Sequence, residues 1–394
     1  MTTADVWQKL HNAQRVVVKV GTSTLTHRTG NLNLSRMETL VRQLVDLKNR
    51  GKEVLLVTSA AVGAGMGRIN IKDKPRTISD RQALAAIGQG ILMQIYEKLF
   101  GEYGVVVAQI LLTKDDLADR QRYLNARTTV RQILAYGAVP IINENDTVAF
   151  DQIQFGDNDT LSAMVAGLAD ADLLVILSDI DGLYSNDPRE NAGAVLIPVV
   201  EDITPDIEAL AGGTGSNLGS GGMKTKIAAA RIVISQGIPM VLTNGSRREC
   251  FGFLYNGYSG SGTGMLQGYE QQEGEQFTGT LFLPKLNALG SRKGWLAFST
   301  RPAGSVIVDD GASKAILEKG TSLLPSGVTA VEGEFQRGEV VDIRNNAEVI
   351  ARGIVNFSSG DIQRVKGRHS REVESILGPG YEQEVIHRDN LSLL

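Results

Sequence analysis

A single cysteine, Cys250, in 394 residues leaves no partner for an intrachain disulfide. The expected setting is therefore a reducing compartment, the cytoplasm. Histidine is nearly as scarce, and His11, His27, His369 and His387 are too scattered to suggest a zinc set. No stretch approaches the roughly 18 apolar residues of a membrane span. Residues 1–7 lack a basic segment leading into an apolar one, so they do not read as an export signal. The common nucleotide fingerprint is missing too. The only Gly-Lys pair, Gly51-Lys52, is followed by Glu53 where a P-loop needs Ser or Thr.

What is present suffices for two domains: 394 residues, 42% hydrophobic, 21% charged. The net charge of -4 is uneven, because residues 285–370 hold 12 Lys and Arg against 9 Asp and Glu. A surplus of that size reads as an ordinary solvated surface. The run over 16–20 is continuously apolar apart from Lys19, the mark of a strand buried on both faces, and apolar residues then recur at helical spacing from Leu34 to Leu47. Ser35 and Glu38 have the spacing of a capping box, Gly51 supplies a helix stop, and a second buried strand follows over 54–57. Further strands are expected over 105–112, 139–142, 173–177 and 238–242, with helices over 122–136 and 224–235. This is an α/β sandwich on a mainly parallel sheet. Residues 257–278 turn rich in Gly, Ser, Gln and Glu and read as a linker, beyond which short β-type runs surround one helix near 312–318.

In an open α/β sheet ligands bind beyond the carboxyl ends of the strands, and the loops there carry the chemistry. Lys19 closes its strand just before Gly21-Thr22-Ser23. Some two hundred residues later Gly219-Ser220-Gly221-Gly222-Met223-Lys224-Thr225-Lys226 offers glycine amides, a helix start and a lysine, so the two segments together read as a phosphate clamp. Phosphoryl transfer needs alignment and charge neutralisation rather than covalent chemistry, which two lysines on rigid supports can supply. Asn143-Glu144-Asn145-Asp146 and Gly156-Asp157-Asn158-Asp159 are dense in amides and carboxylates and can hold an ammonium group and orient a lysine. A calcium loop is ruled out there by Leu161 at the third ligand position. Ser59-Ala60-Ala61, with its small residues, allows close approach of a substrate, and the segment from Ser178-Asp179 to Tyr184 can line a nucleotide.

Taken in order, these segments resemble the amino acid kinase family, and within it the glutamate 5-kinases that carry a C-terminal PUA domain. The resemblance rests on Val-Lys-Val-Gly-Thr-Ser at 18–23, Asn-Glu-Asn-Asp at 143–146, Gly-Asp-Asn-Asp at 156–159 and Gly-Gly-Met-Lys-Thr-Lys at 221–226. Gly279-Thr280-Leu281-Phe282 and Val308-Asp309-Asp310-Gly311-Ala312 resemble the start of the PUA domain. It implies a kinase domain over 1–278, a PUA-like domain over 279–370 and a tail over 371–394. It also implies that Lys19, Lys226 and Asp159 are catalytic, and that Ser59, Asp146 and Asn158 bind L-glutamate. ATP would be bound by Lys19, Ser178, Asp179, Ser220, Gly221, Gly222, Met223, Lys224, Thr225 and Lys226. The reaction implied is ATP-dependent phosphorylation of the γ-carboxylate to L-glutamyl 5-phosphate, the first step of proline biosynthesis. Magnesium would bridge the phosphates with no dedicated protein site. Feedback inhibition by proline and a homo-oligomer belong to the same resemblance.

The chain departs from the family pattern in two places. Ser59-Ala60-Ala61 stands where Ser-Gly-Ala is usual, and if that backbone is left-handed Ala60 costs on the order of 1 kcal/mol. The stretch over 266–277 is longer than the usual link. The alternatives are an acceptor other than glutamate, and RNA binding through the C-terminal domain. The second would need a basic stripe with stacking aromatics, for which Trp295, Phe298 and Phe335 are sparse.

Overall fold

A computed structural model describes residues 8–27, 31–73, 75–149, 158–191, 193–211, 222–247, 249–254, 278–284, 296, 300, 302–346, 348–378 and 381–394. The chain divides into two compact units, Met1–Ala288 and Leu289–Leu394. Among the described residues no helix is long and apolar enough to cross a membrane.

The first unit is built on an eight-stranded sheet. In chain order its elements are β1 (Arg15–Val20), α1 (Thr22–Leu25), α2 (Leu34–Asn49), β2 (Glu53–Val57), α3 (Ala61–Ile69), α4 (Ile78–Gly101), β3 (Val107–Leu112), α5 (Lys114–Ala118), α6 (Arg120–Ala135), β4 (Val139–Glu144), α7 (Asn158–Leu168), β5 (Leu173–Ser178), β6 (Val199–Val200), α8 (Pro205–Leu210), α9 (Met223–Ser235), β7 (Met240–Asn244) and β8 (Gly279–Phe282). The strands lie in the order β3-β4-β2-β1-β5-β7-β8-β6. β1 sits between β2 and β5, parallel to both, which places Lys19 opposite Val57 and Ile176. All six residues of β5 are buried, as the continuous apolar run requires of a strand covered on both faces.

Three local features differ from the sequence expectation. α2 is capped by Asn33, whose Oδ1 accepts from the Arg36 amide at 3.1 Å, so Ser35 lies inside the helix and the capping box does not form. α4 adds 24 residues with no continuous apolar stripe to announce them. It lies against α3 backbone to backbone: a Cβ on Gly88 would stand 1.8 Å from the Ala61 carbonyl oxygen, and one on Gly65 would stand 2.0 Å from that of Leu84. Finally, Gly279–Phe282 does not open the second domain. As β8 it runs antiparallel to β7, Met240 opposite Phe282, and its four residues are all buried in the first unit's sheet. The chain thus returns to complete that sheet, and the division falls after Ala288 rather than after 278.

The second unit is a five-stranded sheet in the order β10-β9-β11-β12-β13. Its elements are β9 (Gly304–Val308), α10 (Asp310–Lys319), β10 (Val328–Glu332), β11 (Val340–Asn345), β12 (Glu348–Ile354), α11 (Ser359–Val365), α12 (Val373–Leu377) and β13 (Leu391–Leu393). Only the β9–β11 pair is parallel. Val341 and Ile343 alternate into the core, which also holds Phe335 and Phe357. Residues 371–394 are not a free tail: Val373, Val385, Ile386 and Leu391 are core residues, and β13 pairs with β12.

Candidate functional site

The site begins with α7, whose residues from Leu161 to Leu168 are all buried. Because the helix runs through the interior, its first turn carries Asp159 inward to zero exposure. An isolated carboxylate there would be costly to ionise. Two lysines resolve the cost: Lys19 from β1 pairs with Asp159 Oδ1, and Lys226 from α9 lies 3.2 Å from Oδ2. Both are nearly enclosed themselves, at 5% and 7% exposure. Thr225 adds its hydroxyl 3.0 Å from Oδ2. Burial pushes the Asp159 carboxyl up, but the lysine charges and their hydrogen bonds overcome this and hold it down at about 2. The cluster is an ionised aspartate between two ammonium groups, with one positive charge in excess. Such a surplus in a desolvated place suits a polyanion.

Beside this cluster lies a cavity of about 280 Å³. Ser178 and Asp179, at and just past the end of β5, form one wall with Ile180, Leu183 and Tyr184, while Gly222, Met223 and Lys226 at the start of α9 form another. Asp187, Pro188 and Arg189 and the end of α8 at Ala209–Ala211 complete it. Ser178 donates to Asp179 Oδ1 at 3.2 Å, and Arg189 reaches Asp187 at 3.1 Å. A lining that alternates apolar side chains with hydroxyl, carboxylate and guanidinium groups, and has a lysine at one end, can take a base, a sugar and phosphates. Lys224 is exposed and Thr225 is turned onto Asp159, so neither lines the cavity. Ser220 and Gly221, like Gly156 and Asp157, lie outside the described residues.

A second group of side chains gathers around Asn158, the neighbour of Asp159. Its Nδ2 stands 2.7 Å from the Thr58 carbonyl, 2.9 Å from Ser59 Oγ and 2.9 Å from Asn143 Oδ1. The ends of β2 and β4 and the start of α7 are thereby tied together. Ala60, which follows, has φ 77° and ψ 12°, the left-handed conformation that the missing glycine would have adopted freely. Asp146 sits in the turn after β4. Burial pushes its carboxyl up while Arg81 opposes the rise, and among the described residues no hydrogen bond joins it to Ser59 or Asn158.

Comparison with known proteins bears on what this arrangement is. Residues 14–244 match the amino acid kinase family, and residues 304–377 match the PUA domain. The chain belongs to the amino acid kinase family. Across its full length it is 52% identical to the glutamate 5-kinase of Moorella thermoacetica, covering 100% of both chains. It is 50% identical to that of Thermoanaerobacter sp. (strain X514), covering 96% of this chain and 98% of the other. The glutamate 5-kinase of Carboxydothermus hydrogenoformans is also 50% identical, with 98% and 99% covered.

In this family member the structure brings Lys19, Asp159 and Lys226 into one cluster and Ser59 with Asn158 into another, while Asp146 stands apart from both. Sequence reasoning missed what holds the second cluster in place. Tyr96 on α4 is fully buried and bonds the Thr58 hydroxyl at 2.8 Å. Gln89, two turns earlier, accepts from Asn143 Nδ2 at 2.8 Å. A glutamine amid the apolar residues of a long helix was the available signal. Phe335, one of the aromatics too sparse to make a stacking surface for RNA, is a core residue at 1% exposure and offers RNA no face.

Proposed function

We propose that the chain is a glutamate 5-kinase, transferring the γ-phosphoryl group of magnesium–ATP to the γ-carboxylate of L-glutamate. The observation that carries this reading is Asp159, fully buried and ionised between Lys19 and Lys226, of which Lys226 lines the cavity. The named relatives, aligned over nearly the whole chain, support the acceptor.

In this reading the base and ribose occupy the cavity along Ser178, Asp179 and the start of α9. Lys19 and Lys226 neutralise charge on the phosphoryl oxygens as it develops, and Asp159 holds both ammonium groups in fixed directions. A γ-carboxylate is already ionised near neutral pH, so the attack on phosphorus needs no general base. Ser59, Asn158 and Asp146 hold the amino acid end, Asp146 as the partner for its ammonium. Among the described residues no cluster of three His, Cys, Asp or Glu side chains forms, and Asp159 is committed to the lysines. Magnesium is read as entering with the nucleotide, where it would supply further charge neutralisation. Inhibition by proline, self-association and a cytoplasmic location complete the proposal on the strength of the resemblance.

The test is ADP release with magnesium and ATP, comparing L-glutamate with N-acetylglutamate, aspartate and UMP as acceptors. Turnover selective for L-glutamate is expected, and silence with L-glutamate would overturn the reading. A proline titration of the same assay tests the inhibitor.

A further inference from the structure

The amide network around Asn158 has a determined direction. At one end the Glu144 backbone N–H donates to Asn143 Oδ1 at 2.9 Å, and at the other Asn158 Nδ2 donates to the Thr58 carbonyl. These backbone groups cannot exchange donor for acceptor, so the carboxamides between them cannot flip. Asn143 must present Nδ2 to Gln89, and Gln89 must answer with Oε1. One atom is left over. Gln89 is 9% exposed, and its Nε2 is fully buried with no partner among the described residues. A folded chain tolerates such an unmet donor where the other half of the group is needed. At the far end Asn158 Nδ2 has three acceptors for two hydrogens, while no donor among the described residues reaches its Oδ1.

We propose that Gln89 is a positioning residue for the acceptor substrate. The backbone groups set the direction of the Asn158 carboxamide, Nδ2 to the protein and Oδ1 to the substrate as an acceptor for the ammonium of a free amino acid, and Gln89 braces that arrangement by holding the other end of Asn143. The inference rests on the glutamate-kinase reading. Gln89 holds Asn143 Nδ2, the end of that carboxamide that the backbone groups do not reach; without it Asn143 keeps only its Oδ1 contacts, and the Asn158 carboxamide braced on it tilts away from the cation it should accept from.

The experiment compares steady-state kinetics and melting of the full chain with those of Gln89→Met and Gln89→Glu. Gln89→Met keeps the shape and loses the acceptor. Its KM for L-glutamate should rise about tenfold, the scale of one hydrogen bond, with KM for ATP and kcat within about twofold. The thermal shift induced by L-glutamate should shrink while that induced by ADP persists. Gln89→Glu restores an acceptor for Asn143 and should bring KM for L-glutamate back to within about threefold of the parent. An unchanged glutamate KM in Gln89→Met would overturn the proposal, as would equal losses for both substrates. Should Gln89→Met fail to melt cooperatively, a tenfold glutamate defect in a normally melting Gln89→Glu would overturn it alone. A parent enzyme with no L-glutamate turnover would remove the underlying reading and this inference with it.

Discussion

Asp159→Asn is the most informative single substitution, because it removes a charge and keeps the shape. In the parent the carboxyl is held at about 2, against roughly 3.9 in an unfolded chain. Each unit is worth about 1.4 kcal/mol, so the ion cluster contributes on the order of 3 kcal/mol at neutral pH. The folded-state pKa is depressed, so this contribution is present above about pH 4 and is lost as pH falls through about 2. In Asp159→Asn that acid-dependent loss should vanish. At neutral pH two enclosed ammonium groups would face one another across a neutral amide, so the variant should melt lower than the parent. A polyphosphate should partly replace the missing charge, and the ATP-induced rise in melting temperature should exceed the parent's. Turnover should drop about 10²- to 10³-fold, the scale for losing one preorganised electrostatic element. Acid unfolding followed by circular dichroism from pH 7 to 2, together with ADP release, reads both effects. Turnover within threefold of the parent, or the same loss of stability between pH 4 and 2, would refute the account of Asp159.

Ala60 carries left-handed strain of about 1–2 kcal/mol, whereas Gly would give back about 0.4–1 in unfolded-state entropy and about 0.8 for the buried methyl. Ala60→Gly should thus move stability by under about 1 kcal/mol, while Ala60→Val should cost at least about 2; chemical denaturation distinguishes them, and a harmless Val would refute the strain. Gly88→Ala must separate α3 from α4, since the new Cβ would stand 1.8 Å from Ala61 O and 2.5 Å from Gly65 N. A cost near 3 kcal/mol is expected, and a melting temperature unchanged from the parent's would contradict that packing. Asp146→Asn should raise KM for glutamate about tenfold and leave KM for ATP alone. Because burial raises the Asp146 pKa, the parent's glutamate KM should climb with falling pH before ordinary carboxylates titrate. A pH profile shared by parent and variant would remove Asp146 from the acceptor site.

The strands were legible because burial on both faces writes itself as an apolar run, and β1, β2, β4 and β5 all lie inside the sheet. Lys19 stood out because a charge interrupts such a run. α4 was not legible, since its buried face runs through Leu84, Gly88, Gln89, Leu92, Tyr96 and Phe100, mixing polar and small residues with apolar ones. Ile78 and Ile87 meanwhile face outward at 46% and 40% exposure, which blurs the period further. The domain boundary failed for a related reason. Composition changes at residue 257, but β8 answers to Met240–Thr243 on β7, a pairing of residues distant in sequence that no local pattern records. The C-terminal segment hid its three-residue strand in the same way.

The two clusters meet at consecutive residues. Asn158 ties the ends of β2 and β4, and Asp159 ties β1 to α9. Successive side chains on a helix diverge by about 100°, so one backbone position can serve an acceptor side and a donor side at once. Reacting atoms must be held near 3 Å and in line, and α7, packed tightly over its whole length, cannot shift for one cluster without shifting for the other. Left-handed strain at Ala60 and an unmet donor at Gln89 both lie on the acceptor side of this helix. Each is a cost to folding, and the Gln89 donor goes unmet because its other half holds Asn143. In the proposed reading the buried ion cluster holds the donor side of this helix, and Gln89, through Asn143 and Asn158, holds the acceptor side.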